Sequence, residues 1–78
     1  MIRIKLSTRL GERRWTQAKL SRETGIRAAT ISELYNEIAD RISLSDLFKI
    51  CIALNCSVGD LLEVEYRPEV DEDIPEET

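Results

Sequence analysis

The sequence predicts an all-α domain of five short helices with a short strand at each end. Residues 16–36, TQAKLSRETGIRAATISELYN, place two helix-compatible stretches around one glycine, Gly25. Ser43 and Ser57 are each followed three residues later by an aspartate, a pattern typical of helix starts. Residues 1–6 and 62–67 alternate apolar and charged side chains with a period of two, which is typical of strands. A chain of 78 residues has room for one domain with a small core.

The N-terminal third is predicted to form a strand and two helices. The strand covers residues 2–6, and the first helix runs from about Leu6 to between Gly11 and Arg14. Thr16 is well suited to cap a second helix over Gln17–Thr24. We expect Trp15 to fill the space between these two helices. Three side chains of the second helix should face the core: Ala18, Leu20 and Ser21.

The remainder is predicted to form three helices and a second strand. A third helix runs from about Ala28 to Asn36, and a polar loop covers residues 37–42. The two serine caps predict a fourth helix over Leu44–Leu54 and a fifth over Val58–Leu62. A stripe at spacings of three and four should face the core rather than a partner: Leu44, Leu47, Phe48, Cys51 and Leu54. A strand over 62–66 should pair with the first strand, within one chain or across a dimer.

The charge is divided unevenly along the chain. The net charge is −4, but residues 1–41 carry a net +4, residues 42–67 a net −2 and residues 68–78 a net −6. Because DNA responds to the field of the surface that meets it, the basic half is compatible with a nucleic-acid partner. We expect a folded domain over residues 1–67 and an acidic, disordered tail over residues 68–78.

Several classes of protein are disfavoured by the composition. The chain has no histidine, and its two cysteines, Cys51 and Cys56, cannot complete a four-coordinate zinc site alone. No glycine loop for phosphate and no acid with an evident base is present, so we expect neither an enzyme nor a cofactor. The opening MIRIKL is too short and too charged for a signal peptide, and no apolar stretch approaches a membrane span. We expect a cytoplasmic protein with no membrane partner and no small-molecule ligand domain.

Gly25 predicts a tight turn between two steeply crossing helices, because glycine accepts a positive φ without steric cost. Ser21 supplies a small side chain at the crossing, and Ile31 and Leu34 supply apolar anchors. The run resembles the helix-turn-helix of the lambda-repressor/Cro-like (XRE-type) transcriptional regulators, over roughly residues 5–63, and is closest to their small single-domain members. The resemblance implies a five-helix, lambda-repressor-like DNA-binding domain with its recognition helix over about 28–36.

The third helix offers a set of candidates for contact with double-stranded DNA. With Ile31 and Leu34 buried, the residues left for the major groove are Arg27, Ala28, Ala29, Thr30, Ser32 and Glu33. Arginine can bind guanine or phosphate, alanine methyls can contact thymine, and threonine can donate to a base or a phosphate.

The resemblance assigns further roles to individual residues. It implies that Gln17 binds a phosphate, and it places the base contacts on Ala28, Ala29, Thr30 and Glu33. It implies that Asn36 and Arg41 hold the DNA backbone. The chain departs from the family pattern at three positions: Glu33 is acidic, Glu37 stands where a glycine is frequent, and Arg27 stands where a small cap residue is usual.

The sequence therefore favours a sequence-specific DNA-binding transcriptional regulator that acts as a homodimer on a palindromic operator. The alternative is a protein-interaction module on the same fold, such as an antitoxin or a regulator's partner. The alternative stays open because small and polar residues on a helix, taken singly, are typical of any solvated helix face.

Overall fold

The computed structural model describes residues 1–66, which form five helices and a two-stranded sheet. The all-α class and the central helix-turn-helix are confirmed. The acidic tail predicted over residues 68–78 lies outside the described residues. In chain order, the elements are β1 (Ile2–Ile4), α1 (Leu6–Arg13), α2 (Gln17–Thr24), α3 (Ala28–Tyr35), α4 (Leu44–Leu54), α5 (Val58–Leu61) and β2 (Leu62–Val64).

The helices begin where their capping residues predict. The Thr16 side chain accepts a hydrogen bond from the backbone N–H three residues later at 3.1 Å, and Ser43 does the same at 3.0 Å. At α5, Ser57 accepts from the Asp60 N–H at 3.3 Å while the Asp60 carboxylate accepts from the Ser57 N–H at 3.1 Å. This reciprocal capping box satisfies two N–H groups that a helix start leaves unpaired.

The two strands pair within one chain, in antiparallel register. Ile2 lies opposite Val64, and Ile4 lies opposite Leu62. Both strands are shorter than the predicted 2–6 and 62–66: β1 ends at Ile4, just before α1 begins, and β2 ends at Val64, opposite the first residue of β1. The third and fifth helices also end one residue earlier than predicted, since Leu62 has entered β2 and Asn36 has left the helix.

One apolar core joins all five helices. Its members are Leu6, Leu10, Leu20, Ile26, Ile31, Leu34, Leu47, Ile50, Cys51, Leu54 and Leu61. Among the described residues, no polar or charged side chain is buried with them. Trp15 is half-buried and packs against this core, and the Lys19 ammonium lies 4.7 Å from the centre of its ring. Burial of apolar surface therefore holds the helix-turn-helix in place.

Two expectations about which side chains face inward are wrong. On α4, Leu44 is 81% exposed and Phe48 is 66% exposed, while Ile50 is fully buried instead. The other three members of the predicted stripe, Leu47, Cys51 and Leu54, are buried as predicted, and with Ile50 they form the core side of α4. On α2, Ala18 is exposed because it lies about 200° around the helix from the buried Leu20.

Candidate nucleic-acid interface

The turn between α2 and α3 is built from local hydrogen bonds around Gly25. Gly25 has a φ of 77°, and its N–H donates to the Ser21 carbonyl at 2.8 Å. The Ser21 hydroxyl donates across the turn to the Ile26 carbonyl. The Thr24 hydroxyl donates to the Leu20 carbonyl at 2.7 Å and accepts from the Ile26 N–H at 3.2 Å. These bonds fix the direction in which α3 leaves the turn.

The helix α3 has one buried side and one accessible side. Ile31 and Leu34 are buried in the core, as predicted. Opposite them, the rotation of the helix groups four exposed residues and the half-buried Ser32 in one arc: Ala28, Ala29, Ser32, Glu33 and Asn36. Thr30 is half-buried and lies at the edge of this arc. Two of the accessible side chains, those of Ala28 and Ala29, are methyl groups. This side of α3 therefore protrudes little, and the helix backbone can approach a partner closely.

The N-terminal end of α3 presents donors to solvent. Arg27 occupies the cap position, and its side chain makes no capping hydrogen bond, as its departure from the usual small cap residue predicts. Within residues 1–66, the backbone N–H groups of residues 28–30 therefore have no capping partner. Free N–H groups at a helix start, together with the helix dipole, attract anions such as a phosphate oxygen. The exposed Arg27 guanidinium adds a positive charge at the same end.

Gln17 is the first residue of α2 and directly follows the Thr16 cap. Its side chain is half-buried, and its amide forms no hydrogen bond to another residue of the described part. An amide in this state can donate to a phosphate oxygen without first breaking a bond inside the protein.

Beyond α3, the two residues expected at the DNA backbone are placed differently. The Asn36 side-chain amide donates to the Ser32 carbonyl at 2.9 Å and to the Ser32 hydroxyl oxygen at 3.3 Å, so it closes the end of its own helix. Arg41 is exposed in the loop that follows α3, where it borders a shallow groove between this loop and β1. Arg41 forms no ion pair with residues 1–66.

Glu37 is the residue whose role the sequence did not reveal. It has a φ of 58°, so it keeps the left-handed conformation that makes glycine frequent at this position. Its carboxylate accepts two hydrogen bonds from the Arg3 guanidinium, at 2.7 and 3.0 Å, and one from the Ile4 N–H at 3.0 Å. This clamp ties the loop after α3 to β1. Because Arg3 lies 34 residues before Glu37, the sequence around Glu37 does not reveal the clamp. The only local indication is an acidic residue at a position where glycine is frequent.

The clamp also sets the charge state of its members. The hydrogen bond from Arg3, followed by that from the Ile4 N–H, lowers the pKa of Glu37 to about 2. The same hydrogen bond raises the pKa of Arg3 above its ordinary value. Arg3 forms ion pairs with Glu37 and Glu65. In contrast, three exposed arginines form no ion pair with the described residues: Arg22, Arg27 and Arg41. These three guanidiniums remain available to phosphates.

Two kinds of feature are absent from the described residues: a cluster of metal ligands and a membrane-spanning helix. Within residues 1–66, no three side chains of the His, Cys, Asp and Glu types come together as metal ligands. Over the same range, no helix has the length and apolar character to cross a membrane. Cys51 is a buried free thiol and Cys56 a half-buried one, and burial raises the pKa of the Cys56 thiol.

Comparison with known proteins agrees with this geometry. Residues 5–66 match the family of Cro/C1-type HTH DNA-binding domains. The chain is 41% identical over 68 residues to the uncharacterized HTH-type transcriptional regulator YozG of Bacillus subtilis (strain 168), covering 87% of this chain and 79% of that protein. The fold is similar to a chain in a solved SinR protein/SinI protein complex, with a TM-score of 0.68 and 19% identity. That alignment covers 94% of this chain and 66% of the other.

The family match and the Bacillus relative support a DNA-binding transcriptional regulator rather than an enzyme. The SinR similarity, at its low identity, supports the fold. The chain belongs to the family of Cro/C1-type helix-turn-helix DNA-binding domains.

Proposed function

We propose that the protein is a cytoplasmic transcriptional regulator that inserts α3 into the major groove of its operator. Two copies bind a two-fold symmetric site, each reading one half. The observation that carries this proposal is the accessible side of α3, which is low, solvent-facing and held by the Gly25 turn against a buried Ile31 and Leu34. A rigid helix with small outward side chains suits entry into a groove about 12 Å wide.

In this proposal, the first residues of α3 read the bases. Arg27 binds guanine or an adjacent phosphate, and the methyl groups of Ala28 and Ala29 contact thymine. Thr30 lies at the edge of the accessible side and donates to a base or a phosphate. Glu33 accepts from the N4 amino group of cytosine, which fits an acid that has no cation partner among residues 1–66.

The flanking residues hold the DNA backbone. Gln17 and the uncapped N–H groups of α3 bind phosphate oxygens, and Arg41 binds a phosphate from the loop. Ser32 contacts DNA where α3 lies deepest. The side-chain NH₂ group of Asn36 donates both of its hydrogen bonds to Ser32. Asn36 therefore contacts the DNA backbone through its side-chain oxygen, or through its NH₂ group after that group turns away from Ser32.

The alternative is a protein-interaction module, such as an antitoxin or a regulator's partner. One observation makes it worth testing, since the SinR chain with the same fold was solved in a complex with another protein. The two functions differ in what the accessible side of α3 touches. A DNA-reading helix must protect base edges, whereas a protein-docking helix leaves duplex DNA unaffected.

Selection of duplex fragments by the purified protein, followed by methylation protection on the selected site, tests the proposal. Dimethyl sulfate modifies guanine N7 in the major groove and adenine N3 in the minor groove. We expect protection of guanine N7 in two symmetric half-sites and no protection of adenine N3 between them. Failure to enrich any sequence, or protection confined to adenine N3, would contradict major-groove reading by α3.

A further inference from the structure

The C-terminal end of α4 brings the two cysteines of the chain together. Asn55, the first residue after the helix, has a φ of 52° and a ψ of 53°, in the left-handed region. The N–H of Cys56 donates to the Cys51 carbonyl at 3.0 Å, and the Asn55 N–H donates to the Ile52 carbonyl at 3.2 Å. Two such bonds around a left-handed residue form the Schellman motif, in which the first and sixth residues frequently pack against each other. Here both of those residues carry a thiol.

The backbone hydrogen bond limits the separation of the two cysteines. Because the Cys56 nitrogen lies 3.0 Å from the Cys51 carbonyl oxygen, standard bond lengths place the two Cα atoms at most about 7 Å apart. Disulfides usually join Cα atoms that are about 4.4–6.8 Å apart. The turn therefore holds the two backbones within reach of a disulfide without any unwinding of α4.

The two thiols differ in their access to solvent. Cys51 is 9% exposed and belongs to the core, whereas Cys56 is half-buried and packs against the core from its edge. Burial, followed by the neighbouring Cys51, raises the pKa of the Cys56 thiol. Asp60 raises this pKa further, while Arg9 on α1 lowers it. A soluble reagent thus meets Cys56 first, at a thiol that is mostly protonated near neutral pH.

We propose that Cys51 and Cys56 are a redox-active pair that closes reversibly into a disulfide, with a small soluble disulfide as the oxidant. The Cys56 thiolate attacks one sulfur of the small disulfide, and the other sulfur leaves as a thiolate. The Cys51 thiolate then attacks the Cys56 sulfur of this mixed disulfide, and the second small thiolate leaves. Two electrons pass from the cysteine pair to the small disulfide, and the two protons that the cysteines lose convert its thiolates to thiols.

Closure of the pair stabilises the domain without altering its DNA-reading surface. The new bond joins the end of α4 to the residue before the Ser57 cap of α5, and it restricts the unfolded chain. Neither cysteine belongs to the accessible side of α3. In the cytoplasmic location proposed above, the pair rests as two thiols, because that compartment keeps thiols reduced. An oxidising shift then converts the domain to a more stable form.

Equilibration of the full chain with mixtures of reduced glutathione and glutathione disulfide tests the proposal. After alkylation with iodoacetamide, the reduced chain should carry two labels, and the oxidised chain should carry none and weigh about 2 Da less than the unlabelled reduced chain. Trypsin cleavage after Lys49 leaves both cysteines in one peptide, so mass spectrometry of that peptide reports the pair directly. The rate of closure should rise with pH, because the thiolate is the attacking species.

Two cysteines separated by four residues can also close in an unfolded chain, so the contribution of the fold is measured separately. The same equilibration is repeated in a urea concentration that unfolds the chain. We expect the equilibrium constant for closure to be about tenfold larger in the native chain, which corresponds to about 1.4 kcal/mol. By linkage, oxidation should then raise Tm by about 5–10 °C.

A shifted pair provides the matched control. Cys51→Ala combined with Ile52→Cys moves one thiol by about 100° around the helix, to a position that is 64% exposed in the wild type. Closure of this pair should be similar to that of the wild type in urea and weaker than it in the native chain. Among single variants, Cys51→Ser should accumulate a mixed disulfide with glutathione at Cys56, whereas Cys56→Ser should leave the buried Cys51 largely unmodified.

Three results would overturn the proposal. The first is a native chain that keeps two alkylated thiols at every glutathione ratio, and the second is oxidation that yields only disulfides between chains. The third is a closure constant in the native chain that does not exceed the constant in urea, or that the shifted pair matches. None of these measurements involves DNA, so they leave the proposed function untouched, and failure to bind an operator leaves this inference untouched.

Discussion

The backbone at Gly25 gives the sharpest test of the helix-turn-helix geometry. Gly25 has a φ of 77°, and a Cβ built there would meet nothing within 4 Å. Replacement by alanine therefore causes no clash, and its cost is the strain of the left-handed conformation alone. That strain is about 1–2 kcal/mol for an L-residue. Alanine recovers about 0.4–1 kcal/mol by restricting the unfolded chain, so Gly25→Ala should destabilise by about 1 kcal/mol.

Gly11 provides a matched control, because it lies within α1 and also has open space at its Cβ position. Here alanine improves helix propensity, so Gly11→Ala should stabilise by about 0.5–1 kcal/mol. A change of 1 kcal/mol moves Tm by about 4–8 °C in a domain of this size. Thermal unfolding followed by circular dichroism should therefore place Gly25→Ala below the wild type and Gly11→Ala above it. Gly25→Val should fall lower still, since a β-branched residue is poorly tolerated at positive φ.

Equal Tm values for the two alanine variants would refute this account. They would show that the turn does not hold Gly25 in the left-handed region in solution. The orientation of α3, and every DNA contact assigned from it, would then lose its basis.

Three other perturbations follow from local contacts. The carboxylate of Glu37 contributes stability that is present above its ordinary pKa of 4.5 and is lost as the pH falls toward about 2. The difference in Tm between the wild type and Glu37→Gln should therefore shrink between pH 4.5 and about pH 2. A constant difference would contradict the clamp. Ser43→Ala should lower the free energy of unfolding by about 1 kcal/mol in urea titrations through loss of the α4 cap, whereas Ser45→Ala, exposed within the same helix, should change it little. Removing residues 68–78, which carry six acids and no base, should leave Tm unchanged and tighten binding to random duplex DNA, because a tethered polyanion competes with phosphates; weaker binding after removal would refute that competition.

The helix starts could be predicted from the sequence because capping is local. Thr16, Ser43 and Ser57 each bond to a backbone N–H three residues away, so the pattern that predicts the cap also contains its partner. The turn at Gly25 could also be predicted, since few residues other than glycine adopt a positive φ between two helices.

The side of α4 that faces the core could not be predicted, because α4 has more apolar residues than one packing surface contains. Spacings of three and four residues are found both among the buried residues of α4 and in the exposed row through Leu44 and Phe48. The choice is made by the elements that pack against α4, above all α2, and these lie outside the α4 sequence. Ala18 was misplaced for a related reason, since a small residue is compatible with either side of a helix.

The accessibility of the candidate residues could be predicted from the sequence, whereas their contacts within the protein could not. None of the residues proposed for DNA contact is buried, and for those on α3 this follows once Ile31 and Leu34 face the core. The clamp of Glu37 on Arg3 could not be predicted, because it joins residues far apart in sequence and depends on the sheet. The engagement of Asn36 with Ser32 depends on side-chain rotamers that no sequence pattern specifies.

The most direct test of DNA reading by α3 compares Arg27→Ala with Arg41→Ala in titrations over a salt series, on the selected operator and on a scrambled duplex. Arg27→Ala should cost about 1–3 kcal/mol on the operator and relax the preference at one base pair. Arg41→Ala should weaken both duplexes alike and reduce the slope of log affinity against log salt by about one per subunit. If neither substitution changes binding to either duplex, the helix-turn-helix does not contact DNA and the protein-interaction function takes its place.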